Sequence, residues 1–486
     1  MLDEEMTAGL TDTALFKQQS HVDGAWVGTP ELAVTDPASG AVVGQVPAMD
    51  AAAAREAVDA AHAAFGPWSG MLPQERGEKL RRWFRLIEAA REDLARIMVR
   101  EQGKPLQEAR GEIDYGASFV EFYAEEARRP NIEGITSHLP DAEVELWREP
   151  VGVAALITPW NFPNAMITRK AAAALAIGCP VVVHPSSETP FSALALAELA
   201  QRAGLPAGVF NVVTGAPQTI VGEWTADARV RALSFTGSTR VGRLLYEQSA
   251  ANIKRLVMEL GGHAPVIVFA DANLDQAVEE AIKAKYATSG QDCLAANRIY
   301  VEEPIYDEFC DRFARASEAL RIGPGMDEPD IGPLMNAAAM AKQAEHIEDA
   351  LGHGARLMCG GPRPDLGSLF HAPTVLADVP DAARIMTEET FGPVAPITRF
   401  TGEDEVVTRA NALEYGLVAY LHTQNPRRIY RMARSLDFGM VAVNRTKITG
   451  APIPFGGMKQ SGIGREGARQ GMEAFSEIKY VCRDWR

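Results

Sequence analysis

From Ala51 to Phe65, and again from Gln74 to Arg128, apolar residues recur at three- and four-residue steps among Ala, Glu and Arg. That is the period of helices with one buried face. At Val151 the rhythm changes. Val151 to Ile157 is an unbroken apolar run of strand length, and Ala165 to Ile177 reads as a helix closed by Gly178. Pro180 to Val183 follows as a strand and Ser192 to Ala203 as a helix. Val209 to Val213 and Ala232 to Phe235 are further strands, Arg240 to Ala250 a helix, and Ile253 to Met258 a strand. Strand and helix alternating through short turns predict a parallel, doubly wound sheet, with ligands at the carboxyl ends of its strands. Ala264 to Phe269 opens a second alternation, with helices near Leu274 to Ala287 and Ile305 to Leu320, so a boundary is expected near residue 262. Residues 1–20 read as a loose leader. Residues 131–150 read as an extended excursion, and a hairpin standing off a core pairs its open edge with something, such as another subunit.

A chain of 486 residues is too long for one ordinary core, so two or three domains are expected. The net charge of −16 argues against nucleic acid or an anionic membrane as partner, since both need basic patches, but leaves room for a small anionic substrate. The five cysteines form no close pair and no metal-ligand spacing, which suits a reducing compartment and leaves one thiol free to work. The acidic Met1-Leu2-Asp3-Glu4-Glu5 start lacks the apolar core of a signal peptide, and no uncharged run approaches the ~18 residues of a membrane span. The expectation is a cytoplasmic enzyme without metal.

The candidate chemistry centres on Ser289-Gly290-Gln291-Asp292-Cys293-Leu294, a polar turn between a helical run and an apolar strand. A cysteine there is either a small buried hydrophobe or a nucleophile, and a nucleophile needs a nearby base to become thiolate. Glu259, closing a strand just before Gly261-Gly262, could be that base. In Thr158-Pro159-Trp160-Asn161-Phe162-Pro163, just past the first strand of the sheet, Asn161 either caps the next helix or turns its amide toward a developing oxyanion. Phe235-Thr236-Gly237-Ser238-Thr239-Arg240 follows a strand and opens a helix, where free N–H groups can receive a pyrophosphate. Gly462-Ile463-Gly464-Arg465-Glu466-Gly467 fits the dinucleotide fingerprint but lies too near the C-terminus to open a βαβ unit, so it reads as a structural turn.

Pro159 to Pro163, Phe235 to Thr239, Glu259 to Gly262, Gly290 to Cys293, Glu389-Thr390-Phe391-Gly392-Pro393 and Pro454-Phe455-Gly456-Gly457, in this order, resemble the aldehyde dehydrogenase superfamily from about residue 20 to the end. The resemblance implies an α/β fold: a doubly wound parallel-sheet cofactor domain (1–130 and 151–262), a second α/β catalytic domain (263–462) and a small β oligomerisation element (131–150 and 470–486). It implies that Cys293 adds to an aldehyde to give a thiohemiacetal. Asn161 and the Cys293 N–H would hold the oxyanion, hydride would pass to a nicotinamide, and Glu259 would activate the water that cleaves the thioester. Lys170 and Glu477 would form a polar relay beside Glu259. Thr158, Pro159, Trp160, Gly215, Phe235, Gly237, Ser238 and Leu260 would meet the cofactor, with Glu389 on its nicotinamide ribose and Phe391 packed nearby. A homodimer or homotetramer is expected.

The second strand ends Val183-His184-Pro185-Ser186-Ser187. Ser187 stands where many NAD-dependent members carry Glu, which leaves room for a 2′-phosphate, whereas His184 replaces the usual Lys and withholds a permanent cation. Either NAD or NADP is therefore expected. For the substrate, Arg169 matches the arginine that holds the distal carboxylate in succinate-semialdehyde dehydrogenases, although a salt-bridged helix charge is the plainer reading. Phe162 and Phe455 would line the tunnel. A second arginine six positions before the cysteine is replaced by Ala287, and Arg445 or Lys447 could supply the missing cation. A small aldehyde with an anionic tail, succinate semialdehyde first, is the expected substrate; glutarate, 2-oxoglutarate or sulfonated aldehydes are alternatives. A cysteine hydrolase is the rival, and it would need a histidine base.

Overall fold

The computed structural model describes residues 7, 9–129 and 131–484; residues 1–6, 8, 130, 485 and 486, which include the start of the supposed leader, lie outside that description. An eight-stranded sheet runs in the spatial order Ala25–Val27, Ser20–Val22, Phe210–Val212, Val181–His184, Val153–Ile157, Val230–Thr236, Arg255–Glu259 and Gly462–Ile463. Its five middle strands are parallel and its outer pairings antiparallel. Val153–Ile157 and Val181–His184 are buried throughout, which is why their sequences are continuously apolar rather than alternating. The chain leaves Val153–Ile157 first to one side and then to the other. The crevice between that strand and Val230–Thr236 is therefore the switch point, where a ligand finds room outside the strand ends.

The second sheet has seven strands, in the order Arg356–Pro362, His371–Ala377, Val394–Phe400, Ala296–Glu302, Ala264–Val268, Val418–His422 and Met440–Val443. All its pairings are parallel except that of the outermost Arg356–Pro362. A third, three-stranded antiparallel sheet joins Ile132–Ile135 and Glu143–Pro150 to the C-terminal strand Ser476–Arg483, whose register runs from Ser476 opposite Pro150 to Arg483 opposite Glu143. The 131–150 excursion thus finds its first partner in this chain's own C-terminus.

Two details differ from expectation. From Thr11 on, the leader is docked rather than loose: the Thr11 and Asp12 N–H groups donate to the Asp93 carboxylate at 2.8 and 2.9 Å, Leu15 is fully buried, and Ser20–Val22 is a strand of the large sheet. A helix over Pro217–Ala226 was not foreseen, although Pro217 at its first position is a start signal. It buries Trp224, whose indole N–H donates to the Ala54 carbonyl at 3.0 Å.

The helix Ala165–Ile177 positions the site. All thirteen of its residues are buried, Arg169 and Lys170 among them, and Gly178 ends it at a left-handed φ of 115°. A helix buried all round is ordinarily apolar. Two cations within one demand a buried carboxylate nearby.

Candidate active site

Cys293 lies between the helix Leu274–Tyr286 and the strand Ala296–Glu302, after a turn in which Thr288, Ser289 and Gly290 all take left-handed φ values of 51°, 56° and 75°. Glu259 ends the strand Arg255–Glu259, and its Oε2 stands 3.7 Å from Cys293 Sγ. The Gly262 backbone passes so close to this turn that a Cβ there would sit 2.6 Å from the Cys293 carbonyl oxygen, so a side chain cannot be accommodated. Asn161 does not cap the following helix; that position belongs to Asn164. Its Nδ2 donates instead to the Gln291 carbonyl at 3.0 Å, and its own carbonyl accepts from Lys104 Nζ at 2.7 Å. Cys293, Glu259 and Asn161, contributed by three separate segments, therefore converge.

Burial pushes the Cys293 thiol well above its ordinary range, and the neighbouring Glu259 and Asp292 carboxylates add to that. The resting nucleophile is a thiol and needs a base to become active. Glu259 is suited to the task because burial lifts its carboxyl to about 8, against the opposing pull of Arg169 and with the help of Glu466.

The acid beside Lys170 is Glu466, not Glu477. Lys170 Nζ donates to the Thr236 hydroxyl at 2.6 Å and forms an ion pair with Glu466, and Arg169 Nε lies 2.6 Å from the same carboxylate. Burial alone would raise the Glu466 carboxyl, but Arg169 and Lys170 hold it below the usual carboxylate range. Glu477 sits half-exposed on the C-terminal strand, 3.6 Å from Arg231, so its expected place in the relay is corrected. Glu466 belongs to the glycine-rich segment set aside above. That segment runs antiparallel along Arg255–Glu259, with Gly462 opposite Glu259, and so delivers an acid to the buried cations. The signal that could have found it was the pair of cations on an otherwise apolar helix.

The expected cofactor residues gather on one edge. Thr158, Pro159 and Trp160 follow Val153–Ile157, and His184 closes Val181–His184 opposite Ile157. Gly215 comes after Phe210–Val212, Phe235 to Ser238 end Val230–Thr236, and Leu260 follows Glu259. These are the carboxyl ends of five adjacent parallel strands. Ser238 caps the helix Thr239–Ala250, its hydroxyl accepting from the Val241 N–H, so the helix begins at the strand end where an anion can be received. From the loop before Val394–Phe400 come Glu389, whose Oε1 accepts from the Gly262 N–H at 3.0 Å, and Phe391, a left-handed residue with its ring edge-on to Trp160 at 5.5 Å. The buried Thr158 hydroxyl and His184 Nε2 lack partners in the protein, as expected for polar atoms that meet a dinucleotide. The residues present fit such a group.

Among the proposed substrate residues, Arg169 is wholly buried, with its guanidinium 4.4 Å from the Phe455 ring. Phe455 in turn packs on Cys293 and Leu417. Phe162 is part-exposed, with Lys104 Nζ 4.3 Å from its ring centre. Arg445 and Lys447 are exposed on the loop before Pro454.

The aldehyde dehydrogenase family pattern matches residues 26–481. The chain belongs to this family, and it is an NAD(P)-dependent oxidoreductase acting on the aldehyde group. It is 52% identical over 477 residues to a non-phosphorylating aspartate-semialdehyde dehydrogenase of Halomonas elongata, covering 97% of each chain. It is 50% identical to the NADP(+) succinate-semialdehyde dehydrogenase of Escherichia coli, over 97% of this chain and 99% of that one. The crystal structure of succinate-semialdehyde dehydrogenase from Burkholderia pseudomallei superposes with a TM-score of 0.97 at 48% identity, over 98% of this chain and all of the other.

Proposed function

We propose that the protein oxidises a small aldehyde with an anionic tail, succinate semialdehyde or a close analogue, to the carboxylic acid. The observation that carries this reading is a buried cation at the nucleophile: Arg169, stacked on the Phe455 ring that packs on Cys293, shares the Glu466 carboxylate with Lys170 and is not fully neutralised by it. Such a cation attracts a carboxylate or sulfonate, and the relatives named above act on substrates of that kind. Glu259 takes the thiol proton as Sγ bonds to the aldehyde carbon, and the Asn161 amide and the Cys293 N–H receive the oxyanion. Bound NAD(P) supplies a hydride acceptor. Glu259 passes that proton to solvent, then takes a proton from the water that cleaves the thioester and returns it to the departing Sγ, releasing acid and thiol. The hydrolase rival lacks its base, because among the described residues no histidine hydrogen-bonds Cys293, whereas Glu259 does. Formation of reduced nicotinamide from a panel of acidic and neutral aldehydes, with each cofactor separately, tests the reading. No turnover of any acidic aldehyde overturns it.

A second reading of the substrate rests on Asp292. This carboxylate is part-exposed between buried Gln291 and Cys293, and its Oδ1 accepts from the Leu294 N–H at 3.0 Å. An acid beside the nucleophile suits an ammonium group, so a semialdehyde carrying both carboxylate and amine would satisfy Arg169 and Asp292 together. The Halomonas elongata relative acts on such a compound by name. If so, Asp292→Thr lowers kcat/KM for aspartate semialdehyde at least tenfold relative to succinate semialdehyde. An unchanged ratio leaves the plain acidic substrate.

His184 bears on cofactor choice. Its Nδ1 lies 2.9 Å from the Val213 carbonyl, which only accepts, so Nδ1 carries the proton and Nε2 is an acceptor. Burial pushes the ring down to about 4, so it stays neutral at physiological pH. An acceptor suits a ribose hydroxyl and offers nothing to a 2′-phosphate. NAD is therefore expected to be favoured over NADP, and His184→Lys should raise kcat/KM for NADP about tenfold relative to NAD. A homo-oligomer joined through the three-stranded sheet, where Ile132, Ile135, Ile478 and Tyr480 are exposed, completes the proposal, with a cytoplasmic location. Among the described residues no helix is long and apolar enough to cross a membrane, and all five cysteines are free.

A further inference from the structure

Glu108, Glu112 and Tyr115, at four- and three-residue steps along the helix Leu106–Glu126, share one face, and Lys104 stands just before that helix. Three of them grip separate pieces of the active site. Lys104 holds the Asn161 carbonyl at 2.7 Å. Glu112 Oε1 accepts from the Asn164 and Ala165 N–H groups at 2.9 and 3.1 Å, which anchors the start of the helix that carries Arg169 and Lys170. Both oxygens of Glu108 accept from the Thr288 N–H, at 3.1 and 3.0 Å.

We propose that Glu108 is a positioning residue for the nucleophile: its carboxylate holds Thr288 in the left-handed conformation that routes the chain to Cys293. Left-handed backbone is costly for any residue with a Cβ and most of all for a β-branched one, yet Thr288 and Ser289 adopt it in succession at 51° and 56°. Strain of this kind persists only where surrounding contacts impose it. Two of those contacts come from the segment just after Ile331: the Ser289 hydroxyl donates to the Gly332 carbonyl at 3.0 Å, and Gln291 Oε1 accepts from the Met335 N–H at 2.9 Å. Glu108 reaches across from a helix 180 residues earlier in the chain and supplies the acceptor for the Thr288 N–H. Without it the turn relaxes toward right-handed φ. The Gln291 carbonyl then leaves the Asn161 amide, and Sγ shifts from Glu259. Substrate binding, which rests on Arg169 and the tunnel walls, is left largely in place.

The test compares Glu108→Ala, Glu108→Gln, Thr288→Gly and the double variant Glu108→Ala/Thr288→Gly in the full chain. Two measurements are made: steady-state kinetics on the best aldehyde of the panel, and amide hydrogen exchange over residues 286–293 without substrate. Glu108→Ala is expected to lower kcat at least tenfold with KM changed less than threefold, and to speed exchange at Thr288. Glu108→Gln, which keeps an acceptor oxygen, should retain most of the activity. Adding Thr288→Gly to Glu108→Ala should recover at least threefold in kcat, because glycine occupies left-handed φ without strain. Recovery of activity by a glycine is something a loss of general stability would not produce. A kcat within twofold of wild type together with unchanged exchange in Glu108→Ala, or a double variant no better than the single, overturns the assignment. If Glu108→Ala does not fold, Glu108→Met, which fills the same space without an oxygen acceptor, takes its place in both measurements with the same expected and overturning outcomes. The kinetic arm rests on the dehydrogenase reading. Should wild type turn over no aldehyde, that reading falls while the exchange arm still decides the role of Glu108.

Discussion

Glu259→Gln is expected to reduce steady-state aldehyde oxidation about 10²–10⁴-fold, the usual span for loss of a positioned general base. The geometry makes the loss twofold in kind. The thiol is held in its neutral form by burial and by the carboxylates around it, so the amide variant has no group at 3.7 Å to take its proton. Any thioester that does form then lacks the base that activates water, so a single turnover should release reduced nicotinamide and stall. Rapid mixing should show a slow burst of about one equivalent per site, and acid quench should trap an acylated Cys293 by mass spectrometry. The pH profile gives a second check. Glu259 is raised to about 8 and acts as a base only when ionised, so wild-type kcat/KM should climb as pH rises through about 8 and fall as pH drops below it. Glu259→Gln should lose that limb. An unchanged profile, or a variant that turns over repeatedly at the wild-type rate, removes Glu259 from the chemistry.

The parts of this site readable from sequence are those that local pattern controls. Apolar runs without alternation announced strands buried on both faces, and the turns after them, at Thr158–Phe162, His184 and Phe235–Ser238, lie together at the carboxyl ends of those strands, the edge where strand polarity leads one to expect a ligand. What stayed hidden depends on contacts between distant segments. Glu466 lies 296 residues from Lys170, on a glycine-rich stretch whose spacing suggested only a turn, and nothing local says that this stretch lies along the strand ending in Glu259. Glu477, placed in the relay by the resemblance alone, is carried away by the register of the C-terminal strand. Glu108 reads as one more charge on an amphipathic helix, and the left-handed turn that needs it is 180 residues away. Burial adds what local pattern does not show: His184 and Arg169 are both enclosed, and Arg169 pairs with Glu466, the salt-bridged reading given for it above.

Glu466→Ala should be the most destabilising single change at the site. It strips the one carboxylate from two cations buried in the same helix, and breaking a buried pair typically costs roughly 3–5 kcal/mol because the remaining charge is left uncompensated. Burial already pushes Lys170 downward against the pull of Glu466, so Lys170 is the cation expected to shed its proton when that carboxylate is lost. Arg169 keeps its charge. A buried cation thus remains beside Cys293, and affinity for an anionic aldehyde should survive in whatever fraction folds. The companion experiment is a double-mutant cycle with Glu466→Gln and Lys170→Met. Each single change leaves a buried polar group without its partner, whereas the double variant removes both charges and retains Arg169. Denaturant midpoints should therefore show the double variant more stable than Glu466→Gln alone. If Lys170 serves only to balance Glu466, the double variant also recovers kcat. If instead Lys170 and Thr236 relay protons to or from Glu259, which stands opposite Thr236 in the sheet register, stability returns while kcat stays low. Strictly additive stability effects would mean the buried cluster is not the coupled unit that its geometry describes.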